Sequence, residues 1–194
     1  MIQDILNRPE SLVPKPRIER NTPYTVYPWW QPPQTVIAAT KEEAIDLHHQ
    51  RWNEIESSPS DWTVIYCDRS EMDDYVGTAA AMLHPKREQI SFHMGDSTIS
   101  AIYAAELYGI GLALYLAIQH SPPGRKTVIF TDNQSAIREL RNPKNHSGQQ
   151  YVKNIIQHLQ TLREAGGQVW IQWVPGHKGI EGNEIVDKLA KAAT

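Results

Sequence analysis

Disulfide chemistry within the chain is excluded, because its 194 residues include one cysteine, Cys67; this fits a reducing compartment. An apolar run of membrane-spanning length is also missing. The most apolar stretch, Ile99 to Ile118, carries Glu106 and repeats with helical period, so it reads as a buried helix rather than a bilayer span. The opening Met1-Ile-Gln-Asp-Ile-Leu-Asn-Arg-Pro9 lacks the apolar core of a secretory signal. The expectation is an intracellular protein, nuclear or cytoplasmic, with no membrane partner. Excess positive charge is absent as well: 19 Lys and Arg stand against 22 Asp and Glu, a net charge of −3. That argues against a free-standing nucleic-acid binder held by charge alone. Basic residues do gather locally at Arg125, Lys126, Arg138, Arg141 and Lys144, and a crevice lined with carboxylates would itself lower the total. There are no repeats or low-complexity tracts. The hydrophobic share of 40% is enough for a folded core, and the length leaves room for one domain and an extension.

Proline divides the chain. Eight of its 13 prolines (Pro9, Pro14, Pro16, Pro23, Pro28, Pro32, Pro33 and Pro59) precede residue 60, a density that forbids long helices and central strands. Residues 1–60 therefore read as a linker or docking arm, with Trp29 and Trp30 as packing anchors or exposed stacking residues. Its one helix spans Lys41 to Ile55, with Thr40 as N-cap and Glu43 three residues on. Residues 61–194 read as one domain. Thr63–Cys67, Tyr75–Met82 and Glu88–His93 are strands; Ser100–Gln119 is a helix stopped by Ser121-Pro-Pro-Gly124; Thr127–Thr131 is a strand. Helices over Gln134–Leu140 and Gly148–Glu164, a strand over Gln168–Val174 and a helix over Gly182–Ala193 complete the order β-β-β-α-β-α-α-β-α. The expected fold is α/β: a five-stranded mixed sheet, three antiparallel strands followed by two parallel additions, flanked by helices. The first and fourth strands should end in Asp68 and Asp132 and open on one crevice.

Taken alone, Asp68 and Asp132 have ordinary readings as a turn residue and a helix cap. Glu106 is harder to explain structurally. It shares a helix face with Ile102, Ile110, Ala113 and Ala117, and a carboxylate in an apolar stripe is costly unless something pairs with it. Asp187 sits beside the apolar face formed by Ile185, Val186, Leu189 and Ala190. His177, in Val174-Pro-Gly-His-Lys-Gly179, lies in a glycine-flanked loop and has a side chain suited to proton exchange near neutral pH.

Four segments, Ile65-Tyr-Cys-Asp-Arg-Ser70, Ala105-Glu-Leu107, Phe130-Thr-Asp-Asn-Gln-Ser-Ala136 and Trp173-Val-Pro-Gly-His-Lys-Gly-Ile-Glu-Gly-Asn-Glu-Ile-Val-Asp187, resemble the successive signatures of type I ribonuclease H, in family order, over about residues 62–194. The proline- and tryptophan-rich lead-in with Lys41-Glu-Glu-Ala-Ile45 resembles the segment before ribonuclease H in polyproteins of non-LTR retrotransposons, notably fungal ones. The resemblance implies a ribonuclease H-like fold and endonucleolytic cutting of the RNA strand of RNA·DNA hybrids. It implies Asp68, Glu106, Asp132 and Asp187 as catalytic carboxylates holding two Mg²⁺ ions, with Mn²⁺ able to substitute, and His177 as the loop histidine assisting proton transfer. It places Ser70, Asn133 and Gln134 near the nucleic acid, and suggests an upstream reverse transcriptase domain as partner. The family's first motif has Asp-Gly-Ser where this chain has Asp68-Arg69-Ser70, so a catalytically decayed or domesticated domain that only binds nucleic acid or protein is the alternative. Two relatives of the same sheet fit less well. Proofreading-type exonucleases begin with Asp-x-Glu, whereas Ser70 stands two after Asp68. Transposases and integrases lack the Gly176-His-Lys-Gly179 loop joined to a final Asp helix.

Overall fold

The computed structural model describes residues 30–97, 102–143 and 148–194. The expectations for the first 28 residues, for Trp29, for the helix start at Ser100 and for Lys144 lie outside the described residues. The domain is built around β2 (Trp62–Met72), β3 (Tyr75–His84) and β4 (Glu88–Asp96), an antiparallel meander. Asp73 and Asp74, at φ 50° and 66°, turn the chain between β2 and β3, the double positive φ of a tight hairpin that Asp tolerates. Helix α2 (Ile102–His120) then carries the chain back to β5 (Lys126–Thr131), which pairs parallel to β2. Helices α3 (Gln134–Arg141) and α4 (Gln149–Glu164) lead to β6 (Gln168–Trp173), parallel to β5, and α5 (Glu181–Ala192) closes the chain.

The strand interior is apolar on both faces because both faces are covered. Ile65, Cys67, Ile129 and Ile171 pack with Leu107, Ile110, Ile137 and Ile155 of α2, α3 and α4. Tyr66, Val128 and Phe130 pack on the other side with Val186 and Ala190 of α5. The ring of Tyr66 lies so close to the start of α5 that a Cβ at Gly182 would collide with it.

The sheet has six strands, not the five expected, in the order β1-β6-β5-β2-β3-β4. The additional strand β1 (Gln34–Val36) comes from the proline-rich lead-in and pairs parallel to β6, with Thr35 opposite Ile171. Three residues directly after Pro32 and Pro33 show no alternating pattern, and an edge is where a strand next to prolines can sit. Arg141 Nε donates to Thr35 Oγ1 at 2.9 Å, and Arg163 donates to the Gln31 carbonyl at 2.8 Å with its guanidinium 5.7 Å from the Trp30 ring centre. Helix α1 (Lys41–Ser57) starts as expected: Thr40 Oγ1 accepts from Glu43 N at 3.1 Å, while the Glu43 carboxylate accepts from Ala39 N at 2.7 Å. Its Arg51 lies over the rings of Trp62 and Trp170, and Trp52 and Ile55 join the Tyr66 and Phe130 cluster.

One other expectation changes. Asp68 does not end its strand. Parallel pairing with β5 stops at Cys67 opposite Thr131, but the antiparallel ladder with β3 continues from Asp68 opposite Ala79 to Met72 opposite Tyr75. Asp68 thus stands where one neighbouring strand leaves and the other stays.

Helix α1 is fixed to the sheet by a buried polar group. His48 Nε2 lies 2.7 Å from the Tyr66 hydroxyl and accepts from Trp52 Nε1 at 2.9 Å. Burial, helped by neighbouring His49, lowers the His48 pKa from 6.5 to about 4, so the folded protein holds the neutral ring. The lowered value favours the deprotonated form, so this contribution to stability is complete above pH 6.5 and is lost as pH falls toward 4. We expect His48→Leu to reduce stability at pH 7, by about 1–3 kcal/mol for the unsatisfied partners. The gap in thermal midpoint between wild type and variant should narrow between pH 6.5 and 4; a constant gap across that window would show that His48 does not titrate in this way.

Candidate active site

The register of β2 and β5 builds the centre of the site. Because Cys67 pairs with Thr131, the following residues, Asp68 and Asp132, come side by side. Glu106 reaches them from the first turns of α2, and oxygens of Asp68, Glu106 and Asp132 lie within 4.8 Å of one another. Asp68 is 8% exposed and Glu106 7%. One side chain fixes the two elements together: Thr78 Oγ1, on β3, lies 3.1 Å from both the Asp68 carbonyl and the Ala105 carbonyl. Helix α2 can come this close because Gly109 faces Thr78, and a Cβ there would stand 2.8 Å from its hydroxyl. The sequence reading missed Thr78. The available signal was one hydroxyl residue in the small and apolar run Val76-Gly-Thr-Ala-Ala-Ala81.

Three carboxylates at this spacing repel one another; two unit charges 4 Å apart cost about 4 kcal/mol at an effective dielectric of 20. The Asp68 pKa is pushed up to about 8, first by burial and then by the charge of Asp132, against the opposing hydrogen bond from Arg69 N to Asp68 Oδ1 at 2.7 Å. Burial also raises Glu106, which is held back by hydrogen bonds from Arg69 and Asn133. Asp132 rises through burial as well, opposed by the charges of Arg69 and His177. All the donors are oxygens, a set that suits hard divalent cations such as Mg²⁺ and Mn²⁺ rather than zinc.

The remaining expected residues surround this triad at different distances. Asp187 on α5 is outside the 4.8 Å group among the described residues. Its Oδ2 accepts from Lys191 Nζ at 2.7 Å, while its charge is felt by both Asp68 and Asp132. His177 is exposed at φ 55° in the loop after β6, near enough to Asp132 to favour its ionised form. The adjoining Gly176 gives Asp132 its space, since a Cβ there would lie 2.8 Å from Asp132 Oδ2. Ser70 is buried on β2. Asn133 has two tasks, capping α3 through a 2.7 Å bond from Ala136 N and bonding Glu106. Gln134 Oε1 accepts from Arg138 at 2.6 Å. Arg69 sends its side chain into the site, where Nε donates to Glu106 Oε1 at 2.9 Å.

Two outcomes follow for the metal-free protein. A raised pKa means that Asp68 contributes stability below pH 3.8 and loses it as pH rises through about 8. Asp68→Asn keeps an acceptor for Arg69 N and removes the charge, so its thermal midpoint at pH 7.5 should exceed that of wild type, by about 2–4 °C for each kcal/mol of relief. A lower midpoint would show that the carboxylates are not in conflict. Thr78→Val keeps the shape and removes the shared donor; calorimetry should find it less stable by about 1 kcal/mol.

Comparison with known proteins agrees with this geometry. The family model described as RNase H matches residues 60–194. Among solved structures, RNase H1 from the halophilic archaeon Halobacterium salinarum superposes with a TM-score of 0.51 at 16% identity over 68% of this chain and 96% of that one. The N-terminal RNase H domain of a Mycobacterium tuberculosis protein, fused to maltose-binding protein, gives 0.53 at 16% identity over 68% and 95%. A foamy viral protease-reverse transcriptase in complex with an RNA/DNA hybrid gives 0.52 at 18% identity; the match covers 68% of this chain and 19% of that much longer one.

Proposed function

The chain belongs to the ribonuclease H family, and from this premise we propose that it hydrolyses the RNA strand of RNA·DNA hybrids endonucleolytically, dependent on two Mg²⁺ ions that Mn²⁺ can replace. The observation that carries this reading is the carboxylate triad, oxygen-only and within 4.8 Å, with Asp68 and Glu106 buried and Asp132 half-buried. Asp68, Glu106 and Asp132 would hold the metal, with Asp187 approaching from α5 once it leaves Lys191. Bound divalent cations supply water activation and charge neutralisation at the departing oxygen.

The chain's own residues have separate tasks. Thr78 and Asn133 keep the carboxylates in place against their repulsion. His177 stands on an exposed loop at the mouth of the site, where an imidazole can take the proton of the attacking water or give one to the leaving 3′-oxygen. The products would be a 5′-phosphate and a 3′-hydroxyl. Asn133 and Gln134, with Ser70 buried behind on β2, would contact the RNA strand, whose 2′-hydroxyls in the wide minor groove distinguish it from DNA. A reverse transcriptase domain of a retrotransposon polyprotein is the partner we propose, and it would add to the grip on the hybrid.

A second reading, a domain that binds nucleic acid or protein without cutting, is favoured by one observation: Arg69 already occupies Glu106 at 2.9 Å. A labelled RNA·DNA hybrid separates the two. In Mg²⁺ or Mn²⁺ we expect cutting of the hybrid's RNA strand alone, with RNA·RNA and DNA·DNA duplexes left intact. Asp132→Asn should lose more than about a hundredfold, the upper range for partners one shell further from a metal. Hybrid binding should be weak and should fall with salt as phosphate contacts are lost. A folded wild-type protein that binds hybrid and leaves it whole in both metals would establish the second reading.

A further inference from the structure

Arg69 lies between two carboxylates. Toward α2 its Nε bonds Glu106 Oε1 at 2.9 Å, and the Glu106 side chain is only 6% exposed while that of Arg69 is 30% exposed. Outward, Glu71 Oε2 lies 3.8 Å from Arg69 Nη1, within ion-pair range but beyond hydrogen-bond length. Residues two apart on a strand share a face, so Arg69 and Glu71 project side by side along β2. The guanidinium therefore has an inner partner that it bonds and an outer one that it nearly reaches. Among the described residues its Nη groups make no other ion pair or hydrogen bond. The backbone beneath is fixed, since Arg69 N donates to Asp68 Oδ1 at 2.7 Å. A turn of the side chain alone would exchange one partner for the other.

We infer that Arg69 is a displaceable counter-ion of the carboxylate site, a positioning residue that holds Glu106 while no metal is present and yields it to an entering divalent cation by swinging out to Glu71. The inference rests on the metal-dependent reading above and adds the state of the site before metal arrives. Glu106 Oε1 cannot give the same lone pair in full to a guanidinium and to a cation. A cation seated among Asp68, Glu106 and Asp132 would also repel the guanidinium bonded to that triad. Glu71 offers the displaced charge a partner at the solvent edge, so the exchange leaves no buried charge unpaired. The cost of displacement lowers the cation affinity of the free protein, and Glu71 offsets part of that cost.

The test is Mn²⁺ binding by calorimetry and by electron paramagnetic resonance, on the full chain without nucleic acid. Arg69→Gln should bind Mn²⁺ more tightly, by roughly tenfold, the scale on which groups behind metal ligands act. It should also have a lower thermal midpoint than wild type without metal, because Glu106 loses its partner. Arg69→Lys, which keeps the charge, should stay near wild-type affinity. Glu71→Gln should weaken binding several-fold in the wild-type background and have a much smaller effect when combined with Arg69→Gln. Equal or weaker binding by Arg69→Gln would overturn the inference, as would a Glu71→Gln effect undiminished in the double variant. Either result would leave the nuclease reading standing. If neither wild type nor Arg69→Gln binds Mn²⁺, the metal-dependent reading fails and this inference fails with it.

Discussion

Three carboxylates that repel one another are held within 4.8 Å, with Asp68 and Glu106 buried and Asp132 half-buried, and most of the local architecture answers to that conflict. The sheet supplies the rigidity. The register between β2 and β5 fixes Asp68 beside Asp132, and the continuing ladder to β3 keeps Asp68 from relaxing away. Thr78 then ties the backbone of β2 to the turn of α2 that carries Glu106. Positive charge and hydrogen-bond donors are placed around the edge by Arg69, Asn133 and His177. Each opposes the raised pKa values, yet together they leave Asp68 at about 8. The folded frame holds a geometry that its own electrostatics disfavour, which is how a preorganised cation site is expected to look before it is loaded.

Much of this was legible in the sequence because it rests on local patterns. Glu106 drew attention as a charge on an apolar helix face, and it is buried. The pairing of Asp68 with Asp132 followed from reading two apolar runs as neighbouring parallel strands. The whole element order from Trp62 onward was readable, since each element carries its own period and its own stop signal. What escaped depends on contacts distant in sequence. The length of β2 beyond Asp68 is set by β3, not by β2 itself. Thr78 has no motif; its role exists only because Gly109 lets α2 come close. The offset of Asp187 toward Lys191 depends on a choice between partners that spacing does not decide.

The lead-in shows the same limit. Proline density before residue 60 argued against central strands there; among the described residues the lead-in adds one strand, at the sheet edge, and three residues leave almost no periodic trace. Helix α1 was read from its cap, whereas its attachment through Arg51, His48 and Trp52 to Trp62, Trp170 and Tyr66 belongs to the folded state alone.

That attachment gives the molecule two boundaries that do not coincide. Family resemblance begins at residue 60, while the physical unit begins no later than Trp30, where β1 covers the outer edge of β6 and α1 covers the aromatic face of the sheet. A fragment trimmed to the family limits would bare a row of unpaired backbone donors and acceptors along β6, beside uncovered Trp62 and Trp170. Such an edge recruits other strands, so cutting the chain at the family limits would lengthen the open edge of the sheet and invite pairing with further copies.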